Sequence, residues 1–266
     1  MLLEVFVKVK QWKKDQLLIK KYATRAEMGT GAAADAEQVI AGIIREKGEI
    51  NIIFAAAPSQ NEMLQNLLNS SVIDWSKVNA LHMDEYVGLP AGDCHTFGYY
   101  LNDHIFGHKT FKSVHYIGGS GEDPEAECLR YAQILQQYPV DVVCLGIGEN
   151  GHIAFNDPWV ADFQDPRAVK VVELDAMCRM QQVNDGCFAD ISQVPTHAIT
   201  LTVPSLMAAR HLFCVVPAAT KANAVKNTVY GPITEDCPAS IMRRHPSATL
   251  YCDGDSGRYL TDGEFV

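Results

Sequence analysis

Strand-like and helix-like segments alternate along almost the whole chain, and this alternation restricts the fold more than any other feature. Apolar runs such as INIIFAAA at 50–57 and DVVCLGIG at 141–148 are typical of buried strands, whereas residues 31–47 have the apolar spacing of a helix. Strands that alternate with helices indicate a sheet covered by crossover connections on both faces. We therefore expect an α/β protein with three α/β/α layers and a mostly parallel, doubly wound, Rossmann-like sheet.

The chain shows no internal boundary. Neither a Gly/Ser-rich linker nor a shift of composition divides the 266 residues, and chains tend to split into domains only beyond roughly 250–300 residues. We therefore expect residues 1–266 to form a single domain. The remaining predicted strands lie at 78–86, 114–117, 168–175, 197–203, 211–217 and 248–253, and the remaining predicted helices at 60–69, 95–106, 124–137 and 219–230.

The charge of the chain argues against some classes of partner. With 22 Lys and Arg residues against 32 Asp and Glu residues, the net charge is −10. Such a balance disfavours a nucleic-acid or anionic-membrane surface. A small anionic substrate is still compatible with it, since a local pocket can oppose the overall sign.

Two further features predict a cytoplasmic location. No apolar run approaches the roughly 20 residues needed to span a bilayer, and the start, MLLEVFVKVKQ, lacks the order of a signal peptide. The eight cysteines are scattered and form no CxxC pattern. We expect them to be buried thiols in a reducing compartment.

Two motif matches fail on their context. Residues 146–151, GIGENG, match the dinucleotide pattern GxGxxG, but that pattern requires a helix beginning inside it, and here the loop HIAFNDP follows. His104 and His108 have the spacing of zinc ligands on a helix, but Gly107 intervenes and no third ligand lies nearby. We therefore expect neither a bound dinucleotide nor a metal ion.

Two adjacent carboxylates stand at the end of a predicted strand in LHMDEYVGLP. Asp84 and Glu85 occupy the carboxyl end, where α/β sheets bind ligands. Because strand side chains alternate, the two should point to opposite sides. One of them can then face a crevice, against the alternative of a solvated acidic turn.

A single histidine lies in the loop GENGHIAFNDP after the most strongly apolar strand. His152 has Asn150 two residues before it and Asp157 five residues after it. A functional histidine needs a partner that fixes its tautomer, and Asp157 is suited to that role. So many polar residues after a central strand favour a site over a chance arrangement.

A third segment, AAAPSQNEML, leads from a strand into a helix and predicts an anion cradle. Pro58 and Ser59 suit a helix start, and Lys221 begins another predicted helix, where it can offer a point charge to a phosphate. Each signal is weak alone, because a lysine at a helix start is usually solvated.

At LHMDEYVGLP and GIGENGHIAFNDP the sequence resembles the glucosamine-6-phosphate deaminase family, which includes galactosamine-6-phosphate isomerases and 6-phosphogluconolactonases. The likeness extends over about residues 30–253. It implies a single three-layer domain without an obligatory cofactor. It also implies conversion of an amino-sugar phosphate to a keto-sugar phosphate with release of ammonia.

The resemblance assigns roles to individual residues. Asp84 matches the proton-shuttling carboxylate, and His152 matches the histidine that assists ring opening. Asp157 stands where the family usually has Glu, and Asn150 where several members have Asp; both are expected to serve His152. The residues expected to bind substrate are Glu85, Ala57, Ser59, Gly151 and Lys221, of which Lys221 matches the phosphate-binding lysine.

Two departures concern the phosphate site. The family's loop is usually rich in Gly and Thr, whereas this chain has Ala55 to Gln60, AAAPSQ. At the register of the family's phosphate-binding arginine this chain has Asp185, and Arg179 can substitute for it if the loop shifts; which residue takes the place of that arginine is left open. The segment GDCHTF resembles the galactosamine-type members.

We therefore expect a hexosamine-6-phosphate deaminase/isomerase, acting on glucosamine 6-phosphate or galactosamine 6-phosphate, in amino-sugar and carbohydrate metabolism. We expect it to be grouped with both hydrolases and isomerases. The alternatives are a 6-phosphogluconolactonase and a non-catalytic sugar-phosphate sensor. The partner is a small sugar phosphate, with no nucleic acid, membrane, cofactor or metal, and a homo-oligomer is left open.

Overall fold

The computed structural model describes residues 9–184, 186–262 and 264–265. The strands are β1 (Val9–Lys14), β2 (Leu17–Tyr22), β3 (Ile50–Phe54), β4 (Val78–His82), β5 (Asp84–Tyr86), β6 (Ser113–His115), β7 (Val142–Leu145), β8 (Val169–Glu173), β9 (His197–Leu201), β10 (His211–Val216), β11 (Ala248–Cys252) and β12 (Glu264–Phe265). The helices are α1 (Arg25–Lys47), α2 (Asn61–Leu68), α3 (Phe97–His104), α4 (Pro124–Gln137), α5 (Ala176–Asn184), α6 (Val203–Met207) and α7 (Ala222–Tyr230).

Nine strands form the main sheet, in the order β12-β1-β2-β11-β10-β7-β3-β4-β6. In this spatial order, all neighbouring strands from β2 across the sheet to β6 are parallel. Strand β1 is antiparallel to both of its neighbours, β2 and β12. The strand order changes direction around β7 and β3, the strands whose carboxyl ends carry the two glycine- and alanine-rich loops. The predicted fold class is confirmed.

The core lies on both faces of this sheet, as expected for strands buried on both sides. Along β3, Ile52 and Phe54 pack into the cluster that contains α1 and α2, whereas Ile53 packs into the cluster on the opposite face. Each face therefore receives alternate side chains of one continuous apolar run. This explains why the central strands show no polar alternation in the sequence.

Helix α1 begins six residues before the predicted start at 31. Thr24 caps the helix: its side chain accepts a hydrogen bond from the Glu27 N–H, and the Glu27 carboxylate accepts one from the Thr24 N–H. This capping box satisfies two backbone donors at the helix start. The helix ends at Gly48, whose φ of 80° suits a residue without a Cβ.

The predicted strand 78–86 divides at Met83. Its first part, β4, stays in the main sheet, while β5 pairs with β9 in a separate antiparallel sheet of order β5-β9-β8. The segments 168–175 and 197–203 are strands as predicted, but they belong to this second sheet. The division brings Asp84 to the point where the chain leaves the carboxyl edge of the main sheet.

The cysteines are free thiols, and six of the eight are buried, whereas Cys94 is exposed and Cys187 is half-buried. This agrees with the predicted buried thiols except at those two positions. Among the described residues, none of the helices combines the length and apolarity needed to cross a bilayer.

Candidate active site

A cavity opens at the carboxyl edge of the main sheet, where the loops after β3, β7 and β10 meet the start of β5. It brings together segments that lie far apart in the sequence. Five of the predicted site residues line this cavity: Ala57, Ser59, Asp84, His152 and Lys221. Four do not line it: Glu85, Asn150, Gly151 and Asp157.

Asp84 is the buried carboxylic acid of the cavity. Its relative exposure is 8%, and no described residue makes a hydrogen bond or ion pair with its carboxylate. Burial, together with the nearby charge of Glu85, raises the pKa of Asp84 well above its ordinary value. A carboxyl group with a raised pKa suits a group that must both take and return a proton.

Glu85 points away from the cavity, as strand alternation predicts. Its Oε1 accepts hydrogen bonds from the N–H groups of Tyr86 (2.9 Å) and Phe97 (3.0 Å), and its Oε2 accepts one from Gly98 (2.9 Å). Burial raises the pKa of Glu85 to about 7 although these three bonds oppose the shift. Glu85 therefore holds the start of α3 and does not line the cavity, and its expected contact with substrate stays a prediction.

His152 is held by Asp157, as the sequence suggested. The distance from His152 Nδ1 to Asp157 Oδ1 is 2.9 Å, and both side chains are buried. Burial alone would raise the pKa of Asp157, but the bonds from His152, Asn150 and Cys178 and the charge of His152 together lower it. An ionised Asp157 keeps a proton on Nδ1 and leaves Nε2 for a ligand in the cavity.

Asn150 acts through its neighbours. Its Nδ2 donates a 2.7 Å hydrogen bond to Asp157 Oδ1, and its Oδ1 accepts one from the His152 N–H at 3.1 Å. A carboxylate at this position would meet the carboxylate of Asp157 and repel it. The departures at 150 and 157 are therefore complementary.

Glycines let the histidine loop come close. A Cβ added at Gly148 would lie 2.1 Å from the His152 ring, so a side chain there would displace the histidine. Gly151 has a φ of 90°, and a Cβ there would lie 2.7 Å from Cys237 Sγ. Gly151 thus packs against Cys237 and does not line the cavity, and its expected contact with substrate stays a prediction.

His82 fixes the backbone of Asp84, a role that the sequence analysis missed. Its Nδ1 donates to the Asp84 carbonyl at 2.9 Å, and its Nε2 accepts from the Ile117 N–H at 2.8 Å. Burial lowers the pKa of His82 to about 4, so the ring is neutral. It lies two residues before Asp84, and the alternation of the strand is the only sequence signal for it.

The opposite end of the cavity carries groups suited to an anion. Ala57 and Ser59 belong to the loop after β3, and Lys221 lies in the turn before α7. Ser59 Oγ accepts a 3.0 Å hydrogen bond from Gln60 Nε2, which leaves the hydroxyl hydrogen to donate elsewhere. Arg25, from the start of α1, also lines this cavity and was missed because α1 was predicted to begin at 31.

Arg179 does not take the place of the family's arginine. Its Nε and Nη2 donate to the backbone carbonyls of Ile191 and Val194, and it does not line the cavity. This corrects the expected substitution: the side chain instead braces the turn before β9. Asp185, the residue at the family's arginine register, lies outside the described residues.

Backbone strain accompanies the cavity. Among the described non-glycine residues, positive φ angles occur at Asp15 (53°), Ala154 (49°) and Ala218 (82°), and the two alanines line the cavity. Such conformations cost free energy and persist where the surroundings impose them. The Asp253 carboxylate holds the second alanine by accepting a 3.1 Å hydrogen bond from the Ala218 N–H.

In the part of the chain that the structure describes, one cluster of metal-ligating types occurs: Asp93, Cys94 and His95. These three are consecutive residues of a surface loop and bond to one another, with Asp93 Oδ1 2.6 Å from His95 Nδ1. His104 Nδ1 and His108 Nε2 instead contact the carbonyls of Tyr100 and Asp103.

The fold and the cavity define an α/β protein with an acid–base site at the carboxyl edge of a parallel sheet. The chain belongs to the family described as glucosamine-6-phosphate isomerases/6-phosphogluconolactonase, whose sequence model matches residues 23–251. Glucosamine-6-phosphate deaminase of Listeria monocytogenes (strain EGD-e) is 38% identical over 213 residues, which are 80% of this chain and 89% of that protein. The Bacillus cereus (strain G9842) deaminase is 40% identical over 189 residues, 71% and 70% of the two chains.

Solved structures of similar proteins have the same fold as this chain. A monomeric glucosamine-6-phosphate deaminase superposes with a TM-score of 0.83 at 27% identity, covering 90% of this chain and 98% of that one. The 6-phosphogluconolactonase of Thermotoga maritima superposes with a TM-score of 0.73 at 16% identity over 89% and 99% of the chains, and shows the shared fold alone. The expected grouping with hydrolases is wrong, because the relatives at 38–40% identity are named as deaminases.

Proposed function

We propose that the protein is a hexosamine-6-phosphate deaminase that converts glucosamine 6-phosphate or galactosamine 6-phosphate to the keto-hexose 6-phosphate and ammonia. One observation carries this proposal. Two side chains line the same cavity: Asp84, a buried carboxyl group without a hydrogen-bond or ion-pair partner among the described residues, and His152, a histidine oriented by a carboxylate. The names of the relatives support the substrate class.

The proposed reaction begins with ring opening. His152, protonated at Nε2, gives this proton to the ring oxygen and takes the proton of the C1 hydroxyl, which yields the open-chain aldehyde. The Asp84 carboxylate then takes the proton from C2 while His152 Nε2 returns its proton to O1, so that an enol-amine forms. Asp84 gives its proton to C1, which leaves an iminium at C2. Water adds to C2, one of its protons passes to the nitrogen and the other to His152 Nε2, and ammonia departs as the keto sugar forms. General acid–base steps of this kind contribute roughly 10²–10⁴-fold each.

The 6-phosphogluconolactonase activity is the second candidate, because proteins of that name share the fold. In that reaction His152 would activate water for attack on the lactone carbonyl, and no carbon-bound proton would move. Asp84 would then have little to do. The unpartnered carboxyl group therefore favours the deaminase, and it also disfavours a sensor that performs no chemistry.

The test is a parallel assay of ammonia release from glucosamine 6-phosphate and galactosamine 6-phosphate, with hydrolysis of 6-phosphogluconolactone followed separately. Ammonia from either amino sugar supports the proposal and identifies the C4 epimer. Lactone hydrolysis without ammonia would transfer the protein to the lactonase activity. Binding of an amino-sugar phosphate without any turnover would favour the sensor.

A cytoplasmic location is part of this proposal, and the eight free thiols support it, since thiols persist in reducing compartments. The oligomeric state stays a prediction. One similar solved structure is that of a monomeric deaminase, and gel filtration at two protein concentrations tests whether this chain behaves alike.

A further inference from the structure

One arginine that lines the cavity comes from the start of a helix and not from the loops after β3, β7 and β10. Arg25 is the first residue of α1, and it lines the cavity together with Ser59 and Lys221. A guanidinium is planar and permanently charged, and it can give two parallel hydrogen bonds to a phosphate. The three side chains therefore offer a guanidinium, a hydroxyl and an ammonium to one anionic group.

The guanidinium of Arg25 is held at two points. Its Nε donates to Glu62 Oε1 at 2.7 Å, and its Nη2 donates to the carbonyl of Pro58, in the loop that also carries Ser59. Among the described residues, no hydrogen bond uses Nη1. The side chain is thus oriented before any ligand arrives, and the N–H groups of Nη1 are left for one, which reduces the entropy lost on binding.

The position of Arg25 matters because the segment expected to supply an arginine does not supply one to the cavity. Arg179 is bound to the carbonyls of Ile191 and Val194. The alanines of the loop Ala55 to Ala57 offer no side-chain donor. A phosphate bound beside Ser59 would therefore take its guanidinium from α1.

We propose that Arg25 recognises the phosphate group of the substrate and makes the site specific for phosphorylated over unphosphorylated amino sugars. This inference rests on the proposed function, because it assigns a residue to the same cavity. Glu62 acts as its positioning residue by holding Nε. The ligand class is a phosphate monoester dianion.

The experiment compares Arg25→Met with Arg45→Met, an exposed arginine at the far end of the same helix. Two quantities are measured: KM and kcat for the amino-sugar phosphate, and the affinity for inorganic phosphate by calorimetry. We expect Arg25→Met to raise KM and weaken phosphate binding by about 10- to 100-fold, the effect of losing a charged hydrogen bond. The change in kcat should stay within about 3-fold, and Arg45→Met should match the wild type.

Two further variants separate recognition from a structural role. Arg25→Lys keeps the positive charge but loses the planar guanidinium with its several donors, so its phosphate affinity should lie between those of the wild type and Arg25→Met. If Arg25→Met fails to fold, Arg25→Lys decides by the same measurements. Glu62→Gln should weaken phosphate binding less than Arg25→Met, since the guanidinium stays but its hold on one side is reduced.

Phosphate affinity that is the same in Arg25→Met and Arg45→Met would overturn the proposal, even if kcat or stability fell. So would an equal loss of kcat/KM for unphosphorylated glucosamine. If the wild type releases no ammonia from any amino-sugar phosphate, the proposed function fails. The phosphate affinities of the variants still decide the role of Arg25 in that case.

Discussion

Both edges of the parallel sheet bury polar side chains, but the two edges treat them differently. At the amino edge, the buried carboxylate of Asp141 accepts hydrogen bonds from Lys47 Nζ (2.6 Å) and the Asn51 N–H (3.1 Å), and Asn79 Nδ2 donates to Asn51 Oδ1 (2.8 Å). At the carboxyl edge, Asp84 has no such partner among the described residues. The buried carboxylate of Asp141 is thus paired at one edge, whereas the buried carboxyl group of Asp84, at the other edge, is left for the chemistry that we propose.

The raised pKa values at the carboxyl edge make the free energy of unfolding depend on pH. A folded-state pKa raised above the unfolded value means that the folded protein holds a proton which the unfolded chain releases. Asp84 and Glu85 therefore favour folding least at high pH, and their stabilising contribution is lost as pH rises above the ordinary carboxyl range of about 4. Burying the carboxyl group of Asp84 therefore lowers the stability of the fold at neutral and high pH, as is common at functional sites.

The same substitution at the two edges should break different properties. Asp84→Asn removes the carboxylate that we propose moves the carbon-bound proton, so we expect ammonia release to fall by at least about 100-fold, toward 10⁴-fold. Thermal unfolding followed by circular dichroism should show an unchanged or higher Tm, because a costly buried carboxyl group is gone. Near-normal turnover would refute the assignment.

Asp141→Asn is the matched change at the amino edge. It places an amide N–H₂ group against Lys47 and removes the charge that the lysine pairs with, although about a third of the Lys47 side chain is exposed. We expect a loss of about 2–3 kcal/mol in the free energy of unfolding, measured in urea. Turnover at a temperature where the variant is folded should equal that of the wild type; a selective loss of kcat would blur the distinction between the edges.

Asn150→Asp sharpens the comparison by removing a pairing inside the site. Two carboxylates would then face each other beside His152, so we expect kcat to fall by about 10-fold, equivalent to ~1.4 kcal/mol in the barrier. The double variant Asn150→Asp with Asp157→Asn restores one donor and one acceptor and should recover part of the loss. No loss in the single variant would show that the Asn150–Asp157 hydrogen bond is irrelevant to turnover.

Glu85→Gln is expected to have the smallest effect, a shift in pH dependence. Asp84 must be ionised to take the proton from C2, so kcat/KM falls as pH falls through its raised pKa. Removing the charge of Glu85 lowers that pKa, and the acidic limb should move to lower pH by less than about one unit. Glu49 lies at the amino edge, where its carboxylate accepts a 3.3 Å hydrogen bond from Asn79 Nδ2, and the control change Glu49→Gln should leave the limb in place.

The fold was largely predictable because its signal is local. Apolar runs with glycine or proline at their ends specify the central strands, and a run buried on both faces needs no tertiary information to be recognised. The division of 78–86 at Met83 was not visible, since β5 looks like a continuation of β4. Its pairing with β9 depends on residues more than a hundred positions away.

The site residues that follow a recognisable strand were predictable from the sequence. Asp84 follows the end of β4, His152 lies in the loop after β7, and both line the cavity as expected. Arg25 is not predicted as a site residue, because the apolar spacing places the helix start at 31. The capping box of Thr24 and Glu27 marks the true start at Arg25. The hydrogen bonds of Glu85 could not be predicted, because only the structure shows that the N–H groups of Tyr86, Phe97 and Gly98 converge on its carboxylate.

Asp84 is a buried carboxyl group with a raised pKa, and among the described residues no group pairs with its carboxylate, which leaves it available for proton transfer. The most direct test is an infrared titration of the wild type minus Asp84→Asn, which isolates the carboxyl stretch of this one residue. We predict that Asp84 stays protonated well above the ordinary aspartate range of about 4. A carboxyl band that disappears near pH 4 would contradict it.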